Sequence, residues 1–338
     1  RAESQDWAYL LEDSLPGELI CVRRGKVLVV ACGHHAMVIS FGLEAHLLTM
    51  PAAVFWTIIQ NDIPGSNPDA EKADKMRTFV IPETFTVNGS DQHQPRTIRI
   101  LSAIVSEKYV TVLCDFSGLA RMHIESKSVP WTKEDLTVGS KYWDLLFSKF
   151  KGGPDWIVEK NKAQDALLEW QLQSPISFPA DPPRRPIIKE ICANSNGAFS
   201  GFGRHLTNDF LGHAALHPGT PSIYICVDNE LFDELFVGIP RYLKRFTNKK
   251  YITKIGRILD LKNPFRFNED SNRHYMQSYI DFFRRCSAKI SKDLYQKYLR
   301  RGLLDTHHTI GEWLLFSFQL YLLNFWMLLI ITGRRILS

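Results

Sequence analysis

The stretch Trp313–Thr332, WLLFSFQLYLLNFWMLLIIT, decides how the rest of the chain is read. It holds twenty residues without a charged side chain and closes on Gly333, Arg334 and Arg335. At about 1.5 Å of rise per residue, a helix of that length matches the roughly 30 Å hydrocarbon core of a bilayer. Trp313 suits one membrane interface, and the two arginines suit snorkelling to headgroups at the other. The stretch predicts a single C-terminal transmembrane helix. Within it, Ser317, Tyr321 and Asn324 follow i, i+4, i+7 spacing and share one face, where another subunit's helix would satisfy their polar groups.

Charge is gathered just ahead of that span. The 338-residue chain carries a formal net charge of +5, yet Arg241–Arg301 alone holds 17 Lys and Arg against 5 Asp and Glu. The cations singled out are Arg241, Lys244, Arg245, Lys249, Lys250, Arg284, Arg285, Arg300 and Arg301. Each basic residue beside an anionic bilayer gains about 1 kcal/mol, so anionic phospholipid or an acidic neighbouring subunit is the expected partner. Tyr242, Phe246 and Tyr251 interleave with the cations, a pattern that also suits nucleic acid. Closeness to the apolar span ranks nucleic acid below lipid. The short tail beyond Thr332 suits a tail-anchor-like, single-pass topology with the bulk of the chain on the cytosolic or matrix side, a mitochondrial or endoplasmic reticulum membrane being the expected setting. No targeting peptide is readable from Arg1 onward. Six widely spaced cysteines without a C-x-x-C pair give neither a zinc ribbon nor a disulfide framework.

The expected fold class is α+β: an antiparallel β-rich N-terminal domain closed by two helices over residues 1–173, a Pro-rich linker over 174–186, and a mainly helical basic domain over 187–303. Short apolar runs at 19–22 and 27–31 flank Arg23-Arg24-Gly25-Lys26, which has the glycine a tight hairpin wants. Residues 37–41, 97–103, 109–116 and 119–125 continue the strand pattern, with Val110, Val112, Cys114 and Phe116 alternating with more exposed positions. Thr132 and Asp135 form a capping signal ahead of Trp143, Leu146 and Phe147, and a second closing helix follows from Asp155 to about Gln173. The stretch 174–186, SPISFPADPPRRP, carries five prolines and reads as a semi-rigid boundary. Beyond it, 222–227 reads as a strand, with helices at 229–247, 249–261 and 271–301.

The sharpest chemical constellation is His205, Asp209, His213 and His217, spaced by three steps of four residues. Neighbouring members face one way on a helix, and His213-x3-His217 is a metal-ligand spacing. Each step drifts about 40° past a full turn, so the four do not meet one ion unaided. Other motifs fail: Gly201-Phe202-Gly203 has Leu206 where a dinucleotide fingerprint needs glycine, and Ser200 has Ala198 where a nucleophile elbow needs glycine. No complete catalytic motif is present. The reading is a non-catalytic accessory or scaffold subunit of a membrane protein complex with no cofactor. The alternative is a membrane-anchored enzyme using a divalent transition metal at His205, Asp209, His213 and His217.

Overall fold

The computed structural model describes residues 18–42, 44–60, 78–85, 96–177, 185–195, 197–256, 260–304 and 330–331. The chain divides into two compact units, the first comprising 1–23, 27–150 and 257–268, the second 24–26, 151–256 and 269–338.

The first unit is built on β1 (Ile20–Arg24), β2 (Val27–Cys32), β3 (His35–Ser40), β4 (Ala45–Pro51), α1 (Ala52–Gln60), β5 (Thr78–Val80), β6 (Thr97–Val105), β7 (Tyr109–Asp115), β8 (Arg121–Ser126) and α2 (Trp143–Phe147). The strands pair antiparallel in two four-stranded sheets, ordered β1-β2-β3-β8 and β4-β7-β6-β5. Strands β2 and β3 are apolar on both faces because both faces are covered. Val27, Val29, Ala31, Ala36 and Val38 pack against Trp131, Leu136, Trp143, Leu146 and Phe147. On the opposite face, Val30, Met37 and Ile39 meet Leu113 of the second sheet, which makes the pair a sandwich. The far side of that second sheet buries Met50, Ile98, Val110 and Val112 under Phe55 and Ile58 of α1.

Helices dominate the second unit: α3 (Lys160–Ser177), α4 (Ile187–Ala193), α5 (Arg204–His213), α6 (Ser222–Val227), α7 (Asn229–Lys244), α8 (Glu269–Ser278) and α9 (Lys292–Arg300). Trp156, Leu167, Trp170, Phe199, Phe202, Phe210, Leu235 and Ile239 form its core. Asp228 caps α7 by accepting from Leu231 N at 3.0 Å, and Ser291 caps α9 by accepting from Leu294 N at 3.2 Å.

Several expectations are corrected. No helix among the described residues is long and apolar enough to cross a membrane. Most of the predicted span, including Ser317, Tyr321 and Asn324, lies outside the described residues, but its end does not. Ile330–Ile331 form β10, paired in parallel with β9 (Ser287–Ala288), where a helix reaching Thr332 was expected. The expected α+β fold with a C-terminal transmembrane helix therefore gives way to a β-sandwich unit and a helical unit, and the single-pass membrane localisation loses its basis. Within the β unit, one capped sheet was expected and two sheets are found.

Local differences have local causes. The chain divides at Lys151, ahead of α3, and α3 runs on through Pro175 to Ser177, inside the stretch read as a linker. Thr132 and Asp135 do exchange capping hydrogen bonds, with Thr132 N 2.9 Å from the Asp135 carboxylate, yet turns follow and α2 begins only at Trp143. Residues 222–227, β-branched and read as a strand, form one helical stretch that sets Ile225 and Cys226 into the core. The long helix expected over 271–301 is broken after Ser278, for a reason that lies in the site.

Candidate nucleic-acid interface

The hairpin tip Arg24-Gly25-Lys26 belongs to the helical unit, and buried carboxylates hold it there. Arg24 donates to Glu159 through Nε at 2.6 Å and Nη2 at 3.2 Å, while Gly25 N donates to Asp155 Oδ2 at 3.1 Å. Asp155 Oδ1 also accepts from Ile157 N and Val158 N, so one carboxylate organises both segments. Gly25 is obligatory: its φ is +57°, and a Cβ there would stand 2.2 Å from Ser200 Oγ, which donates to Gly153 O.

This anchoring leaves Lys26 exposed beside the start of α5. Its Nζ lies 3.8 Å from where a Cβ on Gly203 would be. Gly203 is the N-cap of α5 and has no side chain to satisfy the first-turn N–H groups. An ammonium and an uncapped helix N-terminus thus point at one place, an arrangement that favours an anion. Burial lowers the Lys26 pKa, with Cys192 acting in the opposite sense. Gly201, at φ +90°, turns the chain into the helix. Phe199 and Phe202, both fully buried, pin the segment that leads into α5.

The predicted metal ligands do not share one site. Asp209 and His213 lie together on α5, joined by Asp281, with ligand atoms within 4.8 Å of one another. His205 instead stacks on Phe283 at 4.4 Å, 3.3 Å from Tyr275 Oη, and burial lowers its pKa. His217 is buried, its Nδ1 accepting from Gly219 N at 3.1 Å.

Asp209, fully buried, accepts at Oδ1 from the N–H groups of Asp281, Phe282 and Phe283 at 2.8, 2.7 and 3.2 Å, and at Oδ2 from Tyr242 Oη at 2.9 Å. Those three backbone donors are what α8 would have needed to continue, which explains its end. Burial pushes the Asp209 carboxyl up, but hydrogen bonds from His213, Phe282, Phe283 and Tyr242 bring it down to about 2. His213 Nε2 sits 3.0 Å from Asp281 Oδ2 and 2.7 Å from Arg245 Nη1. Burial pulls its pKa down, the Asp209 and Asp281 carboxylates pull it up more strongly, and the balance is a raised value. A guanidinium already stands where a metal ion would neutralise these carboxylates, since Arg245 Nη2 is also 2.9 Å from Asp281. The donor set fits an internal ion network better than a metal centre.

The basic block sorts in two. Arg245 is spent on His213 and Asp281. Arg285 donates to the carbonyls of Ile280 and Met276, and Arg301 to those of Ala214 and Ala215 and to Glu234. Arg241, Lys244, Lys249, Lys250, Arg284 and Arg300 remain exposed, with no carboxylate partner among the described residues. Sequence reasoning missed Lys26, Asp155, Glu159 and Asp281. The Arg-Arg-Gly-Lys run in a hairpin was the available signal for Lys26, whereas Asp281 is one acid in a basic block whose carboxylate meets His213 and Arg245 from distant segments.

No protein-family profile and no curated protein matches this chain. Among solved structures, it is similar to MutM in complex with DNA containing carbocyclic 8-oxo-G, at 11% identity and a TM-score of 0.41, covering 71% of this chain and 66% of that one. It is also similar to Lactococcus lactis Fpg in complex with DNA containing an oxidized pyrimidine, at 12% identity and a TM-score of 0.38, covering 67% of this chain and 60% of that one. A complex of Lactococcus lactis Fpg with DNA containing an abasic site matches at 12% identity and a TM-score of 0.43, covering 80% and 72%. The chain thus spans less than two thirds of the first two structures. Superpositions this loose assign neither fold nor activity to it.

The membrane-scaffold reading is nonetheless overturned. Its ranking of lipid above nucleic acid rested on a membrane-crossing helix, and none is present among the described residues.

Proposed function

We propose that this protein binds nucleic acid, and that Lys26 together with the N-terminus of α5 holds a backbone phosphate. The observation that carries the reading is the approach of the Lys26 ammonium to Gly203, at the uncapped start of a ten-residue helix. Helix N-termini with free N–H groups bind phosphate, and a lysine placed there supplies the counter-charge. Exposed cations on α7 and beyond, Arg241, Lys244, Lys249 and Lys250, lend the longer-range attraction that non-specific binding requires. Phosphate contacts set position and do not read sequence, so the expected binding tolerates many sequences.

Fluorescence anisotropy with a labelled duplex DNA tests this. The full chain binds with an affinity that falls as salt rises, and Lys26→Glu weakens binding at every salt concentration. Affinity unchanged by the charge reversal would remove Lys26 from the interface.

A further inference from the structure

We infer that Arg284 is a second phosphate contact of the same interface, an inference that rests on the reading of Lys26 and α5 just given. Arg284 has φ +55°, in the left-handed region that costs a non-glycine residue about 1 kcal/mol or more. The turn would close equally well around glycine. What the arginine adds is an exposed guanidinium, with no carboxylate partner among the described residues.

The guanidinium is placed. Its Cζ lies 5.3 Å from the centroid of the Phe283 ring, and that ring stacks on His205 at 4.4 Å with an interplanar angle of 15°. His205 is the second residue of α5, next to exposed Arg204 and two positions after Gly203, where the Lys26 ammonium stands. Three cations from three separate segments, Lys26, Arg204 and Arg284, therefore collect around the first turn of one helix. None has a carboxylate partner among the described residues, in contrast to Arg245 and Arg301.

The strained backbone cannot easily relax. The N–H groups of Asp281, Phe282 and Phe283 all converge on Asp209 Oδ1, so the peptides leading into Arg284 are fixed by a buried carboxylate. The aromatic shelf limits the freedom of the guanidinium, and less entropy is lost when it meets a phosphate. A phosphodiester chain that lays one phosphate on the α5 N-terminus meets Arg284 as the adjoining positive group.

The test uses the full chain, a labelled duplex DNA, and a salt series on wild type, Arg284→Gly and Lys26→Ala. Glycine relieves the left-handed strain, so the thermal midpoint of Arg284→Gly stays at or above that of wild type. Its DNA affinity falls several-fold, and its salt slope drops by about 0.9, the loss of one phosphate contact. Wild-type affinity and slope for Arg284→Gly, with Lys26→Ala weakened, would overturn this inference and leave the Lys26 reading standing. Both variants binding as wild type would overturn both.

Discussion

The Asp209 carboxylate accepts the backbone N–H of Phe282 at 2.7 Å, across 73 positions of sequence. That bond, with its neighbours at Asp281 and Phe283, replaces the helix that hydrophobic periodicity predicts over 271–301. A buried, hydrogen-bonded anion outcompetes helix propagation here because three backbone donors are satisfied at once.

Asp209→Ala leaves those three N–H groups and the Tyr242 hydroxyl without their acceptor in a buried setting, where each orphaned group costs about 1–3 kcal/mol. Urea unfolding of the variant shows a loss of several kcal/mol. Asp209→Asn, which keeps an acceptor oxygen, loses distinctly less.

Stability depends on pH through the same network. The Asp209 carboxyl is lowered from 3.8 to about 2, which corresponds to about 2 kcal/mol of stability. That contribution is present above the unfolded value and is lost as pH falls from about 4 to 2. His213 is raised above its ordinary 6.5, so its contribution is full below that value and is lost as pH rises through the folded pKa. Thermal midpoints measured across pH therefore decline on the acid side below about 4 and soften as pH rises past the ordinary histidine value of 6.5. In His213→Phe the alkaline decline disappears.

Gly25→Ala places a methyl group 2.2 Å from Ser200 Oγ on a backbone with φ +57°. Destabilisation exceeds the 1 kcal/mol expected of strain alone. Gly25→Ala with Ser200→Gly removes the clash and recovers part of the loss, which unfolding curves of the single and double variants resolve.

Because Arg245 already lies against His213 and Asp281, a divalent transition metal gains little there. Zinc added to the purified protein leaves the thermal midpoint unmoved, as does a chelator. A midpoint that rises with zinc and reverts in His213→Ala would restore the metal reading.

What could be read from the sequence was what depends on neighbours along the chain. The β1–β2 hairpin, the presence of β7 and the helix over 229–247, observed as α7 followed by a turn of 3-10 helix, follow from local periodicity and caps. The half-buried alternation expected of β7 does not hold, since Val112 to Asp115 are all buried and Phe116 is exposed. The extent of α3 was misjudged because Pro175 falls in its last turn, and residues 222–227 were misjudged because packing of Ile225 overrode β propensity. Half of the His/Asp constellation was legible: Asp209 and His213 do meet, since α5 spaces them one turn apart. Their other partners, Tyr242, Arg245 and Asp281, come from distant segments that no spacing rule reaches. Lys26 was hidden for the same reason, as Gly203 is its neighbour only in the folded chain.

The central claim is a phosphate on the first turn of α5, and amide chemical shifts of the isotope-labelled chain during titration with duplex DNA test it most directly. The account predicts that Gly203, Arg204, His205 and Leu206 shift earliest and furthest, and that Lys26→Ala suppresses those shifts. Perturbations confined to Arg241–Lys250, with the α5 amides unmoved at saturation, would contradict it.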